Sequence, residues 1–238
     1  MAKRIIQEIK HFTDLEHIWW GARTSGGQKR YDIKAQLFKK YCQPKPTDKI
    51  LEIGCGDGEF TRRIVSLKSS ITATDITPAV ITRAKKNIHL KNVKFLLKNA
   101  ENLKFRASSF DIVCGISILH HIDTKKALQE SYRVLKKGGS IFFTEPNLLN
   151  PLISIGLNID WLRQKMEFSP GETALLRWQV KKMLTDIGFR AVIVKNHDFL
   201  YPLTPRPLIE TAKKLSNILE KTPLIKEISG SLIIYAIK

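Results

Sequence analysis

The residues best placed to do chemistry are Glu52, Gly54, Gly56 and Gly58, packed into the stretch ILEIGCGDGEFT from Ile50 to Thr61. Glycines at alternate positions let a backbone turn tightly and approach a ligand where any Cβ would clash. A nucleotide-like ligand is the natural guest, although the same glycines would also serve a bare strand-to-helix turn. A dinucleotide loop would read G-x-G-x-x-G, and its last glycine would fall where this chain has Glu59. That carboxylate would repel a pyrophosphate. No G-x-x-x-x-G-K-[ST] is present, so no loop of that kind cradles a nucleoside triphosphate. The loop suits a ligand that carries an adenosine but no phosphate.

A second acid and two histidines extend the set. Ile71 to Asp75 reads as a strand ending on a carboxylate, and Asp75 follows Gly54 by 21 residues, the interval expected of an acid that takes ribose hydroxyls. Thr77 and Pro78 supply the N-cap and first turn of the next helix, which leaves Asp75 for the ligand. His120 and His121 stand just after the fourth strand, near the carboxyl ends where open α/β sheets form their reactive crevice. With an unperturbed pKa of about 6.5, a histidine there suits a general base for a hydroxyl acceptor. Packing or helix capping is the alternative for each, and His121 is preferred over His120. Glu145, ending the fifth strand, is a further candidate for acceptor contact, though Glu145-Pro146-Asn147 would also shape a turn.

Glu52-Ile53-Gly54-Cys55-Gly56-Asp57-Gly58 resembles motif I of the class I S-adenosylmethionine-dependent methyltransferases. The resemblance implies a loop that wraps the amino-acid part of the cofactor, with Glu52 helping to hold its ammonium group. Asn99-Ala100-Glu101-Asn102-Leu103 is similar to that family's adenine-recognition loop, with Asn99 where Asp is more usual. An amide oxygen still accepts from the adenine amino group but brings no charge. FDIVCGISILHHID and RVLKKGGSIFFTEPN resemble the type 11, small-molecule branch, akin to quinone-biosynthesis methyltransferases, and the likeness runs from about Asp48 to Asn147. It implies cofactor contacts at Glu52, Gly54, Cys55, Gly56, Gly58, Asp75, Ile76, Asn99, Ala100, Glu101 and Ile116, with S-adenosylhomocysteine as product. The segment Cys114-Gly115-Ile116-Ser117-Ile118 carries neither the Pro-Pro-aromatic pattern of adenine enzymes nor a Pro-Cys nucleophile. Nucleobase methylation and covalent catalysis are disfavoured.

The elements that must position these residues alternate strand and helix through the first two thirds of the chain, which predicts a parallel sheet covered on both faces. The expected fold is Rossmann-like and doubly wound: a mostly parallel seven-stranded sheet, an antiparallel C-terminal strand and helical lid insertions. Further strands are read at Val93 to Lys98, Phe110 to Cys114 and Ser140 to Glu145, with a closing hairpin of Ala191 to Lys195 and Ser231 to Ile237. A helix from about Lys125 to Leu135 and a turn at Lys136 to Gly139 precede the fifth strand. One domain is expected over 1–238, with a helical cap at 1–47, the cofactor core at 48–146, and substrate lids at 147–172 and 197–230. In the second lid Leu208, Ala212, Leu215 and Leu219 recur at helical spacing and predict a buried stripe. Trp19, Trp20, Glu145 and Tyr201 are the acceptor candidates.

Composition bounds the rest. The chain has 238 residues, 43% of them apolar, enough for a sizeable core, and no internal repeat. Cys42, Cys55 and Cys114 lack metal-type spacing and suit a reducing, cytosolic setting; no metal is expected. No apolar run approaches a membrane span, and MAKRIIQEIKHF lacks the apolar block of a signal peptide. The net charge of +18 invites a nucleic acid or an anionic membrane surface. Its basic residues are scattered rather than gathered, which points to a solvated surface with at most peripheral membrane contact. A small-molecule or lipid-linked acceptor methylated at oxygen is the favoured function. An RNA methyltransferase, supported by charge alone, and a non-catalytic cofactor binder are the alternatives.

Overall fold

The structure, a computed structural model, describes residues 2–14 and 23–238. Seven strands form one sheet in the order β3-β2-β1-β4-β5-β7-β6. They are β1 Lys49–Ile53, β2 Ser70–Asp75, β3 Val93–Leu97, β4 Phe110–Ile116, β5 Leu135–Pro146, β6 Arg190–His197 and β7 Ser231–Ile237. β1 to β5 pair in parallel, and β7 runs antiparallel between β5 and β6. β1 and β4 are buried along almost their whole length, as strands covered on both faces must be. The expected sheet is therefore present, and its order reverses between β1 and β4, where such sheets open a crevice.

One face packs against α2 Ser25–Cys42, α3 Thr61–Ile64 and α4 Pro78–Asn87, through Phe38, Ile64 and Ala84 on Ile50, Ala73 and Phe142. The other carries α5 Thr124–Val134 and α8 Arg177–Ile187, through Leu128 and Leu184 on Val113, Ile141 and Ile234. α1 Ala2–Asp14, α6 Pro151–Asn158, α7 Asp160–Lys165 and α9 Ile209–Leu219 lie in the segments that the core pattern leaves over.

Two local expectations are corrected. The helix ends at Val134, and β5 already begins at Leu135, because Gly138 donates its N–H to Lys238 O and Gly139 O accepts from Lys238 N. The glycines are thus paired with the chain end as an irregular stretch of strand, with register shifting between Phe110 opposite Leu135 and Ile112 opposite Ser140. In α9 the inward face is that of Ile209 and Ser216, while Leu208, Leu215 and Ile218 are exposed. Ser216 turns inward because its hydroxyl accepts from Phe199 N and donates to Glu220. Of the expected stripe, Leu208 and Leu215 point outward as a result, while Ala212 and Leu219 are half-buried.

Candidate active site

The glycine loop leaves β1 at the sheet's reversal point with Gly54, Gly56 and Gly58 all in the left-handed region, at φ of 64°, 53° and 87°. They do different work. A Cβ on Gly54 would lie 2.4 Å from Ile118 Cγ1 and is excluded by packing, whereas one on Gly58 would meet only the far end of Ile88, Cδ1 at 2.8 Å, so its left-handed backbone is what asks for glycine. A Cβ on Gly56 would meet nothing within 4 Å, because that side faces open space. Asp75, at the end of β2, fastens the loop: one carboxylate oxygen accepts from Gly56 N at 3.1 Å and the other from Thr77 N at 2.9 Å. Thr77 itself makes no side-chain cap, so Asp75 takes part of the capping role as well.

Glu52 is buried beneath the loop and accepts from Thr61 Oγ1 at 2.7 Å. Burial pushes its carboxyl up to about 8, with Asp75 adding repulsion and the Thr61 hydroxyl partly offsetting both. Glu59 is held below the usual carboxylate range: burial would raise it, but Arg62, Gln28 and Arg63 outweigh that. Cys55 and Cys114 are pushed up strongly by burial and nearby carboxylates, so neither is a thiolate nucleophile.

A cavity of about 350 Å³ opens at this point. Glu52, Gly54, Cys55, Gly56, Asp75, Ile76 and Ile116 line it, together with His120 and His121. Gly58, Asn99, Ala100, Glu101, Glu145 and Tyr201 are not among its lining residues. Asn99 Oδ1 accepts from Glu101 N at 2.8 Å, and the Glu101 carboxylate takes Asp123 N and the Arg4 guanidinium. The adenine-type loop is thus engaged with α1 and the start of α5. Tyr201 lies beside α2, its carbonyl 2.8 Å from where a Cβ of Gly26 would stand. Trp19 and Trp20 fall outside the described residues.

Glu145 corrects the expectation of acceptor contact. It is fully buried and accepts from Ile118 N and Leu119 N, each at 3.0 Å, and from His120 Nδ1 at 2.6 Å. Its work is to hold the turn after β4. His120 in turn cannot serve as a base. Its Nδ1 faces Glu145 and its Nε2 faces Glu172 Oε1 at 3.4 Å. Burial would lower its pKa, but the two carboxylates outweigh burial and push it up to about 9, so the ring is an imidazolium at neutral pH.

His121 is different. Its Nδ1 lies 3.2 Å from Ser169 Oγ and 3.3 Å from Glu8 Oε2. Glu172 Oε2 stands further from the same nitrogen, at 3.8 Å, so the ring is oriented from its Nδ1 side by a hydroxyl and two carboxylates. Phe12 of α1 packs edge-on against the ring at 5.1 Å between centroids. The two histidines and Glu172 bring ligand-type atoms within 4.8 Å of one another, a cluster that chain spacing does not reveal. His120 is already committed to two carboxylates there.

Glu8, Glu172, Arg30 and Lys34, four ionisable residues of the cavity wall, escape sequence reasoning. Glu8 and Glu172 come from segments distant in the chain. The cavity face of α2 was readable only as spacing: Gly27, Arg30, Tyr31 and Lys34 share one side of a helix within a basic run.

The Methyltransf_11 family model, a methyltransferase domain, matches residues 51–143. The ubiquinone/menaquinone biosynthesis C-methyltransferase UbiE of Zymomonas mobilis is 36% identical over 114 residues, covering 45% of this chain and 46% of the relative. The ubiquinone biosynthesis O-methyltransferase of Coxiella burnetii is 26% identical over 147 residues, covering 59% and 62%. The chain thus spans about half to three fifths of the curated relatives it matches. Among solved structures, an S-adenosylmethionine-dependent methyltransferase from Thermotoga maritima superposes with a TM-score of 0.66 at 20% identity, over 98% of both chains. Phosphoethanolamine N-methyltransferase 2 of Haemonchus contortus, in complex with phosphomonomethylethanolamine and S-adenosylhomocysteine, has a TM-score of 0.66 at 20% identity, over 87% of this chain and 52% of that one. These two likenesses bear on the fold.

Proposed function

We propose, from the premise that this chain belongs to the class I S-adenosylmethionine-dependent methyltransferases of the type 11 branch, that it methylates an oxygen of a small-molecule or lipid-linked acceptor. The observation that carries the reading is a single cavity in which the glycine loop and Asp75 share walls with His121. The residues fit the family's cofactor. Gly56 leaves open the space a Cβ would fill, and an acidic side chain stands at or one residue before the end of each of the first two strands. Glu52, Gly54, Gly56, Asp75 and Ile76 would hold S-adenosylmethionine, which when bound supplies an electrophilic methyl group on a sulfonium.

The chain's own residues then have two tasks. The first is alignment of acceptor and cofactor, which can contribute about 7–11 kcal/mol towards the barrier. Packing of Gly54 against Ile118, and Glu145 bonded to Ile118 and Leu119, support a rigid turn for this purpose. The second is proton removal from the acceptor hydroxyl. His121 Nε2 is the proposed base, oriented through Nδ1 by Glu8. A base held in this way suits a hydroxyl acceptor, and enzymes named for carbon and for oxygen methylation both occur among the relatives.

Calorimetry with S-adenosylhomocysteine tests the first step of this reading. A protein that fails to bind it at millimolar concentration is not a methyltransferase of this type. Methyl transfer to phenolic quinone precursors and to lipid extracts then identifies the acceptor.

The lids at 147–172 and 197–230 complete the proposal. Leu152, Ile155 and Trp161 are exposed on α6 and α7, and Leu215 and Ile218 on α9, with Lys213 and Lys214 alongside. Asn150 Nδ2 donates to Ile228 O at 2.8 Å and ties the two lids together. Apolar side chains set beside lysines suit the surface of an anionic bilayer. Among the described residues no helix is long and apolar enough to cross a membrane. Flotation with vesicles containing phosphatidylglycerol should carry the protein upward at low salt; protein left wholly at the bottom removes the peripheral contact.

A further inference from the structure

Lys34 lies on the cavity face of α2, buried to 6% exposure, with access to the cavity it lines. Among the described residues it pairs with no carboxylate and makes no hydrogen bond; its Nζ sits 5.6 Å from the Tyr31 ring centroid. The neighbouring cation is satisfied. Arg30 Nε lies 2.5 Å from Asp198 Oδ2, and an Arg30 terminal nitrogen donates to Ser231 Oγ at 3.4 Å. An unpaired ammonium taken out of water is costly, and methionine would fill the same volume without that penalty. Such a group is retained to advantage where a ligand brings the missing negative charge. The surroundings define that ligand further, since Tyr31, Phe12 and Ile153 give the cavity aromatic and apolar walls.

We propose that Lys34 anchors the acceptor by pairing its ammonium with an acidic oxygen, a carboxylate or an ionised phenol, carried on an aromatic ring. This assignment rests on the methyl-transfer reading above. It also carries a proton signature. In the empty cavity burial, followed by repulsion from Arg30, brings Lys34 down to about 7, against the weaker pull of Asp198 and Glu145. An arriving anion supplies the missing attraction and raises it again. Binding above neutral pH therefore draws a proton from the buffer.

The test is a calorimetric titration of protein saturated with S-adenosylhomocysteine, at about pH 7.5, in two buffers of different ionisation heat. Benzoate supplies the carboxylate alone and 4-nitrophenolate the phenolate alone; benzamide and 4-nitroanisole are their neutral counterparts. Wild type should bind at least one anion tenfold or more tightly than its neutral counterpart, with proton uptake. Lys34→Met should lose both the preference and the uptake while keeping its affinity for S-adenosylhomocysteine. An equal preference in the two proteins, or no anion bound by wild type, overturns the assignment. Failure of wild type to bind S-adenosylhomocysteine overturns the methyl-transfer reading instead.

Discussion

The His120 imidazolium can be dismantled without leaving a buried charge behind, by the double substitution Glu145→Gln/Glu172→Gln. Both replacements keep the side-chain shape, and the amide oxygen introduced at position 145 can still accept from Ile118 and Leu119. In wild type the two carboxylates hold His120 at about 9, against 6.5 in the unfolded chain. The folded state therefore binds the proton more tightly, so the stability from this group is fully present below about pH 6.5 and is lost as pH rises through 9. At about 1.4 kcal/mol per tenfold change in proton affinity, that is about 3 kcal/mol. Lys34 works in the opposite sense, since its folded value of about 7 against 10.5 makes stability rise with pH over that window. Removing Glu145 also takes away a weak pull on Lys34, and this lowers its folded value further and acts in the same direction as the loss at His120. Urea unfolding of each from pH 6 to 10 should show the wild-type advantage shrinking by about 3 kcal/mol on this linkage. In parallel, long-range ¹H–¹⁵N spectra at about pH 7.5 should show both His120 nitrogens protonated in wild type and a neutral ring in the variant. A neutral His120 in wild type at that pH, or parallel stability profiles, would refute the ion-pair account.

Three further expectations are narrower. Gly54→Ala should lose about 2–4 kcal/mol of stability, combining left-handed strain with overpacking against Ile118, whereas Gly56→Ala should lose only about 1–2 kcal/mol yet bind S-adenosylhomocysteine far more weakly; thermal melts and calorimetry separate the two. His121→Ala should lower kcat by about two to four orders of magnitude with cofactor affinity unchanged, as single-turnover kinetics would reveal. Asp198→Asn leaves the Arg30 charge buried without its partner and should destabilise by about 3–5 kcal/mol, read as a shift in urea midpoint at constant slope.

The sheet was legible because its strands are short, apolar and punctuated by Gly54, Asp75, Pro78 and Gly139, signals that depend only on near neighbours. The cofactor end of the site was legible for the same reason, since Glu52 and the glycines lie in one run of chain. His120 and Glu145 could both be found but not given their roles, because the bond between them joins residues 25 apart and changes what each can do. Glu8 and Lys34 were out of reach. An acid in an amphipathic helix and a lysine in a basic one look like surface groups until packing takes them out of water. The stripe of α9 failed for the converse reason: the inward position went to Ser216, whose hydrogen bonds to Phe199 and Glu220 are invisible to a hydrophobic pattern.

The place of β7 has a consequence for how the chain is made. Residues 231–237 slot between β5 and β6, and Ile141, Phe142 and Phe143 lie in the register that β7 completes. A ribosome that has produced everything up to Gly230 therefore carries a nascent chain whose sheet is open along β5, with an apolar edge waiting for its last partner. At synthesis rates of about 5–20 residues per second, that edge persists until β7 emerges. It is the stage at which a chaperone would find the most to hold.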